Sequence, residues 1–514
     1  MKLNDLKNEL NSEKQLTENG AVGYRTTGKE LLDLNFMTSS LRNMDESDIY
    51  NKFVKAFYEN KLLAVKWLYF LRDIRGGMGE RRSFRVILQR LAHDHPKLVK
   101  EFIGITAEYG RYDDLWCLLD TDLRDDVIKY CYLILLKDIK NAREGKPITL
   151  LGKWLPSLKS AKEDSARYAK IFAKGFNLGK TSYQKTLKML REYSNVVECK
   201  MSTGRWNEID YSTVPSKANI IYRNAFYKHD EERRRAYLDS LSKGETKING
   251  GVNFPHDIVH NYTVSDWYSY TLKPYDESLE QIWKALTNYV NGDESTIVVK
   301  DGSGSMGCTI GETKVTAMEV ADALAIYFAE KCHGEYKNKF ITFSSSPKLV
   351  DMSKCNSLRE KLEVTKGYNE VSNTNIEAVF DLILKVAVKN KYSQDELPKN
   401  ILILSDMEFD SCACDNSCVS SWHVGFKDTL FEKIAKKYDK YGYKMPRMVF
   451  WNLMSRTGSI PVKENNLGVA LVSGFSPTVI KMVLSNKLDP YECLLDQLNS
   501  ERYDLVEEAF NRVN

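Results

Sequence analysis

The chain has 514 residues, 43% of them hydrophobic and 28% charged, with a formal net charge of +4. That balance describes a folded chain of about two to four domains and excludes disordered or collagen-like sequences; ten cysteines are too sparse for a disulfide framework and fit a reducing compartment. No apolar run approaches the roughly 20 residues of a membrane span, and Met1-Lys2-Leu3-Asn4-Asp5 lacks the apolar core of a secretory signal. A cytoplasmic protein without membrane contact is expected.

Residues 1–290 read as helical. Apolar positions recur at helical spacing in Phe53-Val54-x-x-Phe57-Tyr58 and in Leu62-Leu63-x-x-x-Trp67-Leu68. Turn signals punctuate them at Arg75-Gly76-Gly77-Met78-Gly79, at Tyr109-Gly110-Arg111 and at Pro156. Many helices joined by short turns predict a solenoid-like or bundled array, although no fixed-period repeat emerges. Residues 141–250 carry 22 Lys/Arg against 12 Asp/Glu. A basic stretch of that length fits either a phosphate backbone or a solvated helical surface.

Gly175-x-x-x-Gly179-Lys180-Thr181 imitates a phosphate loop, but it has one residue too few between its glycines and follows a helical pattern, so a helix end is preferred. Gly244 to Gly251 reads as a loop. Glu80 beside Arg75, Arg81 and Arg82 reads either as surface ion pairs or as arginines cradling phosphate at a helix start.

The pattern changes near 290, with Asn291-Gly292-Asp293 as turn residues. From 291 to 514, apolar β-type runs at 296–300, 339–344, 401–405, 448–453 and 468–473 alternate with helical segments at 314–332, 375–389 and 427–441. Alternation of this kind predicts a mostly parallel, doubly wound sheet. Ligands of such sheets bind beyond the carboxyl ends of the strands. Asp301 stands at one such end, followed by Ser303 and Ser305; Asp406 stands at another, and Thr374 precedes a helix. Hydroxyls and carboxylates are hard-oxygen ligands, so Mg²⁺ or another divalent cation is the expected cofactor.

The same segment admits a serine-hydrolase alternative. Ser303-Gly304-Ser305-Met306-Gly307 lacks only the first glycine of a nucleophile elbow, and Asp406 and His423 follow in the order of a triad. That reading leaves Asp301, Ser303 and Thr374 without roles and is the weaker one. Cys412, Cys414 and Cys418 with His423 have the ligand types of a Zn²⁺ site but not its usual C-x₂-C spacing; reduced thiols in a loop are the simpler account.

Asp301-x-Ser303-x-Ser305, Thr374 and Asp406 resemble the metal-ion-dependent adhesion site of von Willebrand factor A (vWA) domains, with Gly302 and Lys300 as departures. Arg75-Gly76-Gly77-Met78-Gly79-Glu80-Arg81-Arg82, Tyr109-Gly110-Arg111-Tyr112-Asp113-Asp114-Leu115, Lys153-Trp154-Leu155-Pro156 and Ser405-Asp406-Met407-x-Phe409-Asp410 resemble a family of unknown function from plants, bacteria and viruses. That family joins a helical half to a vWA-like half. The arrangement is similar, more distantly, to the Ro autoantigen (TROVE) proteins, where a ring of helical repeats closed by a vWA-like domain binds RNA.

The resemblance implies a helical domain over 1–290, a vWA-like domain over 291–514, and a non-catalytic RNA-binding protein. Arg75, Arg81, Arg82, Arg111, Lys153, Lys180, Lys185, Arg205 and Lys217 are then the candidate RNA contacts. The alternative is an assembly module without nucleic acid, in which the metal holds a carboxylate of a protein partner.

Overall fold

The architecture comes from a computed structural model that describes residues 14–265, 270–290, 295–343, 347–369, 375–409, 430–462, 468–483, 487 and 489–513. Ten strands run in chain order: β1 (Lys14–Leu16), β2 (Val22–Tyr24), β3 (Thr263–Ser265), β4 (Tyr270–Leu272), β5 (Thr296–Asp301), β6 (Lys339–Phe343), β7 (Lys348–Asp351), β8 (Asn400–Ser405), β9 (Arg447–Asn452) and β10 (Val469–Ser473). The chain condenses into two compact units that interleave along the sequence. One comprises Met1–Asp45, Lys52–Asn60 and Asn253–Asn499; the other comprises Glu46–Asn51, Lys61–Val252 and Ser500–Asn514.

The first unit is built on a six-stranded mixed sheet of order β10-β9-β8-β5-β6-β7. Every pairing is parallel except that of β7 with β6, which is antiparallel. The edge strand β7 carries only one buried residue in four, so the apolar-run criterion that finds the other five passes over it. β8 and β10, by contrast, are buried at every position, as parallel strands covered by helices must be. The helix Ala317–Lys331 packs against β5, β6 and β8, and Pro490–Leu498 against β10. A capping box at Thr316, with Glu319 reaching back to the Thr316 N–H at 2.8 Å, starts the first of these helices.

From β5 the chain steps first to β6 and later to β8 on the other side. The topological switch point therefore falls between β5 and β8.

The N-terminal residues of this unit complete its core. Ser39 donates its hydroxyl to the Asn452 carbonyl at 2.9 Å, and Asn452 donates to the Phe36 carbonyl at 2.8 Å. The hairpin β1–β2 is held by Thr17 donating to the Phe409 carbonyl and Asn19 donating to the Glu408 carbonyl, both at 2.6 Å. Sequence periodicity does not reveal these attachments, because they run through single polar groups far apart in the chain.

The second unit is helical. The helix Lys61–Arg72 is its centre, buried from Ala64 to Arg72. The turn after it explains the glycine-rich motif. Met78 and Glu80 donate their backbone N–H groups to the Phe70 and Leu71 carbonyls at 3.0 and 2.8 Å, folding the chain back on the helix end. A Cβ on Gly77 would lie 2.0 Å from the Phe70 carbonyl oxygen, so only glycine fits. Glu80 is buried, not part of a surface ion-pair cluster. The segment 163–175 is helix and Lys180–Tyr193 is the next helix, so no strand precedes Gly175 and the phosphate-loop pattern is excluded. No described helix is long and apolar enough to cross a membrane.

Candidate functional site

Two charge clusters stand out, one in each unit. The first sits at the switch point. Asp301 ends β5 and Asp406 follows β8, and both are fully buried. Ser303 is buried beside them, and its hydroxyl shares a 2.9 Å hydrogen bond with that of Ser305. The Asp301 carboxylate accepts from the Ser303 N–H at 2.9 Å and from the Ser405 hydroxyl at 2.6 Å. The Asp406 carboxylate accepts from the Glu408 N–H at 3.3 Å.

Burial, then the neighbouring Asp301 charge, pushes the Asp406 carboxyl up to about 7, against the pull of Ser305 and Arg456. Burial likewise raises Asp301, opposed by Ser405, Ser303 and Lys300. Met407, the next residue, is held at φ 64° in the left-handed region, a strained choice for a side-chain-bearing residue.

The cationic side chain nearest Asp406 is Arg456, whose Nη2 lies 3.4 Å from its carboxylate and also pairs with Glu18 at 2.5 Å. One guanidinium shared in this way leaves two buried carboxylates under-compensated, and the donor set of carboxylates and hydroxyls fits a hard divalent cation. The structure thus brings Asp301, Ser303, Ser305 and Asp406 together. Thr374 lies outside the described residues, as do Cys412, Cys414, Cys418 and His423.

Lys300, a departure from the vWA pattern, has a local explanation. It is fully buried and pairs with Asp322 and Asn369. Asp322 also accepts from the Tyr270 hydroxyl at 2.6 Å. The lysine's charge is answered mainly by Asp322, and a weaker part of it lowers Asp301.

The second cluster is a cavity of about 1180 Å³ within the helical unit. Its walls come from the turn after Lys61–Arg72, the 104–112 segment, Leu150–Trp154, the end of Lys180–Tyr193, Val197–Ser202 and the start of Ser216–Ser242. Seven cationic side chains line it: Arg72, Arg75, Arg81, Arg111, Lys153, Arg191 and Lys217. Only two acidic ones, Glu108 and Glu198, do so. Five of the nine cations selected from sequence meet here: Arg75, Arg81, Arg111, Lys153 and Lys217. Arg82, Lys180, Lys185 and Arg205 do not line it; Arg205 pairs with Glu208 at 3.4 Å and Glu192 at 3.8 Å.

The cations differ in how they are used. Arg72 and Arg85 grip the buried Asp114 through their Nε atoms at 2.7 and 2.8 Å. Burial alone would raise Asp114, but these two guanidiniums outweigh it and hold its carboxyl below the usual range. A Cβ on Gly110 would fall 2.3 Å from the Asp114 carboxylate and 2.8 Å from Arg72 Nε, so the Gly110-Arg111 motif exists to let this pair close. Arg111 donates to Asp113 at 2.7 Å and lies flat over Trp154 at 4.0 Å. Its Nε has no acceptor among the described residues. Arg75 donates to the Glu108 carbonyl at 3.0 Å, and Arg191 to the Gly152 and Leu155 carbonyls at 3.0 and 2.6 Å.

Arg81 caps the start of Arg82–Asp94 and makes no side-chain hydrogen bond or ion pair among the described residues. Arg81 is exposed, and desolvation by the surrounding walls, then the nearby Arg111, Arg72 and Arg85, hold it down to about 10. Arg191 and the apolar lining residues were invisible to charge counting along the sequence; only the fold gathers them.

A helical unit joined in one chain to an open α/β unit with a carboxylate–hydroxyl cluster at its switch point is the class of protein these features define. Residues 295–509 match a domain of unknown function, DUF7788, and residues 17–103 and 161–294 match another, DUF2828. The chain is similar to the uncharacterized protein L728 of Acanthamoeba polyphaga mimivirus, 29% identical over 554 residues, covering 97% of this chain and 92% of that one. Among solved structures it aligns with the Deinococcus radiodurans RO (RSR) protein over 93% of each chain at 11% identity. The TM-score of 0.33 is too low to carry an argument about fold or function.

Proposed function

We propose that the protein is a non-catalytic RNA-binding protein whose RNA contacts lie in the basic cavity of the helical unit. The observation that carries this reading is the convergence of Arg75, Arg81, Arg111, Lys153 and Lys217 on one recess with an excess of five cationic over acidic side chains. Aromatic and aliphatic groups interleave with the charge: Trp154, Tyr112, Tyr130 and Tyr222 line the same walls. Cations for phosphates combined with faces for bases are the requirements of single-strand binding. The resemblance of the Arg-Gly-Gly and Gly-Arg motifs to RNA-binding TROVE proteins points the same way.

The test is retention of labelled single-stranded RNA by the full chain as salt rises. Affinity should fall linearly on a log–log plot, with a slope of about −0.7 per phosphate neutralised. No retention at low salt would overturn the proposal.

A second reading is favoured by the under-compensated pair Asp301 and Asp406. In this reading Mg²⁺ or another divalent cation is held by Asp301, Ser303, Ser305 and Asp406, with Thr374 as the fifth expected ligand. The ion would supply an electrophilic position for a carboxylate or phosphate of a protein partner, making the unit an assembly module. It requires association that EDTA abolishes and RNase leaves intact. A Zn²⁺ site at Cys412, Cys414, Cys418 and His423 has no structural support, because those residues lie outside the described ones.

A further inference from the structure

We propose that the cavity of the helical unit recognises a nucleoside phosphate monoester, with the dianionic phosphate against Arg81 and Arg111 and the nucleoside on the wall formed by Val197–Ser202 and the start of Ser216–Ser242. Where the monoester ends an RNA strand, this deepens the RNA-binding reading; where it is a free nucleotide, it stands apart from it.

The argument starts from how charge is distributed. A phosphodiester strand bound along its length calls for cations spaced along an open track. Here the available charge is focused in one recess, while Lys180 and Lys185 lie outside it. Arg81 has no acceptor among the described residues, and its nearest cationic neighbours are Arg111, Arg72 and Arg85. Arg72 and Arg85 are committed to Asp114. Arg111 is held by Asp113 and Trp154, and its buried Nε has no acceptor among the described residues. The exposed Arg81 guanidinium, with the Arg111 cation near it, suits a compact dianion, which offers several oxygens for charge-assisted hydrogen bonds. An anion beside Arg81 would offset the desolvation and the like charges of Arg111, Arg72 and Arg85 that depress it.

The remaining wall suits a nucleoside. Ile221 is 62% exposed and Leu150 53% exposed, both inside the recess, where an apolar face gains by being covered. Glu198 accepts from the Tyr222 hydroxyl at 3.1 Å through Oε1, while its buried Oε2 has no partner among the described residues. A carboxylate repels phosphate but accepts from a ribose hydroxyl or a base amine. It therefore sets which end of the ligand lies where. The volume of about 1180 Å³ exceeds the usual range of small-ligand pockets and leaves room for a nucleotide.

The experiment measures anisotropy of the full chain with single-stranded octaribonucleotides ending in a 5′-phosphate, a 3′-phosphate or hydroxyls only, with adenosine monophosphate as competitor. The expected result is binding about tenfold tighter for one phosphorylated end than for the hydroxyl-ended strand. Arg81→Gln should abolish that preference while Lys185→Gln, outside the cavity, retains it. Adenosine monophosphate competing while no octamer binds supports the monoester site and overturns RNA binding. Equal binding of all three octamers, with no competition, supports RNA binding and overturns the monoester site. No binding by any probe overturns both.

Discussion

The two charge clusters pose opposite electrostatic problems. At the switch point of the α/β unit, two buried carboxylates share hydroxyls and one arginine that also serves Glu18. In the helical unit, seven cationic side chains face one cavity with two acidic ones. The first cluster is compact, with both carboxylates fully buried and fixed by strand ends. The second is wide and solvent-accessible, and its members divide into arginines that hold the fold together and arginines with donors to spare. Charge alone does not mark a binding group; what separates Arg72 from Arg81 is whether the unit has already supplied a carboxylate.

The sharpest way to break that distinction is Asp114→Ala. It leaves the buried Arg72 without its partner and Arg85 with half of its own. Losing one member of a buried pair costs about 3–5 kcal/mol, so urea denaturation of the helical unit should shift by that amount. A loss below about 1 kcal/mol would mean that Arg72 is as available as Arg81. The pH dependence carries the same information. Asp114 is depressed in the folded state, so its contribution is present above the unfolded carboxylate value and is lost as pH falls through the folded one. Acid unfolding of the helical unit should therefore begin at higher pH in Asp114→Asn than in the parent, as read by circular dichroism.

The next effect concerns the lysine inside the α/β sheet. Lys300 and Asp322 both have fully buried side chains. Lys300→Met keeps the length of the side chain but leaves Asp322 with only Tyr270 and Asn369 as donors. A thermal-stability loss of about 3 kcal/mol is expected. If Lys300→Met is neutral, the buried pair returns no more than its desolvation costs, and Tyr270 and Asn369 hold Asp322 well enough alone.

How much of this was legible in the sequence differs between the clusters for a physical reason. Strand-end carboxylates follow contiguous apolar runs, so Asp301 and Asp406 can each be placed at a strand end from period and position alone, though only the sheet order shows that the two strands are neighbours. Five of the six sheet strands are similarly visible as buried runs; β7, with one buried residue in four, is not. The cavity is written in no local pattern. Arg81, Arg111, Lys153 and Lys217 lie on four separate segments, and Arg191 enters only because its helix end packs by Gly152 and Leu155. The place of the N-terminal segment in the α/β unit was equally hidden, since the partners of its buried Leu31, Leu32, Leu34 and Phe36 and of Ser39 lie more than 400 residues away.

A smaller effect tests the anionic cluster directly. If Asp301 and Asp406 hold a divalent cation, millimolar Mg²⁺ should raise the thermal midpoint of the α/β unit by linkage. At a concentration 100 times its Kd the gain is about 2.7 kcal/mol. Asp301→Asn should remove the Mg²⁺-dependent increment while leaving the cation-rich cavity unaffected. An increment unchanged in Asp301→Asn would place the ion elsewhere.

The smallest effect separates focused from diffuse charge within the cavity. Lys153 lines the recess beside Trp154, its Nζ 5.6 Å from the ring centre. Unlike Arg81, it has a mobile stem and a single point charge, so it should add to affinity without fixing geometry. Lys153→Gln is expected to flatten the log–log salt slope for single-stranded RNA by about 0.7, lowering the affinity for strands of every end chemistry by the same factor. If Lys153→Gln instead erased a preference for phosphorylated ends as completely as Arg81→Gln, the recess would be reading total charge. The contrast between a tuned arginine pair and a diffuse cationic wall would then collapse into a single electrostatic surface.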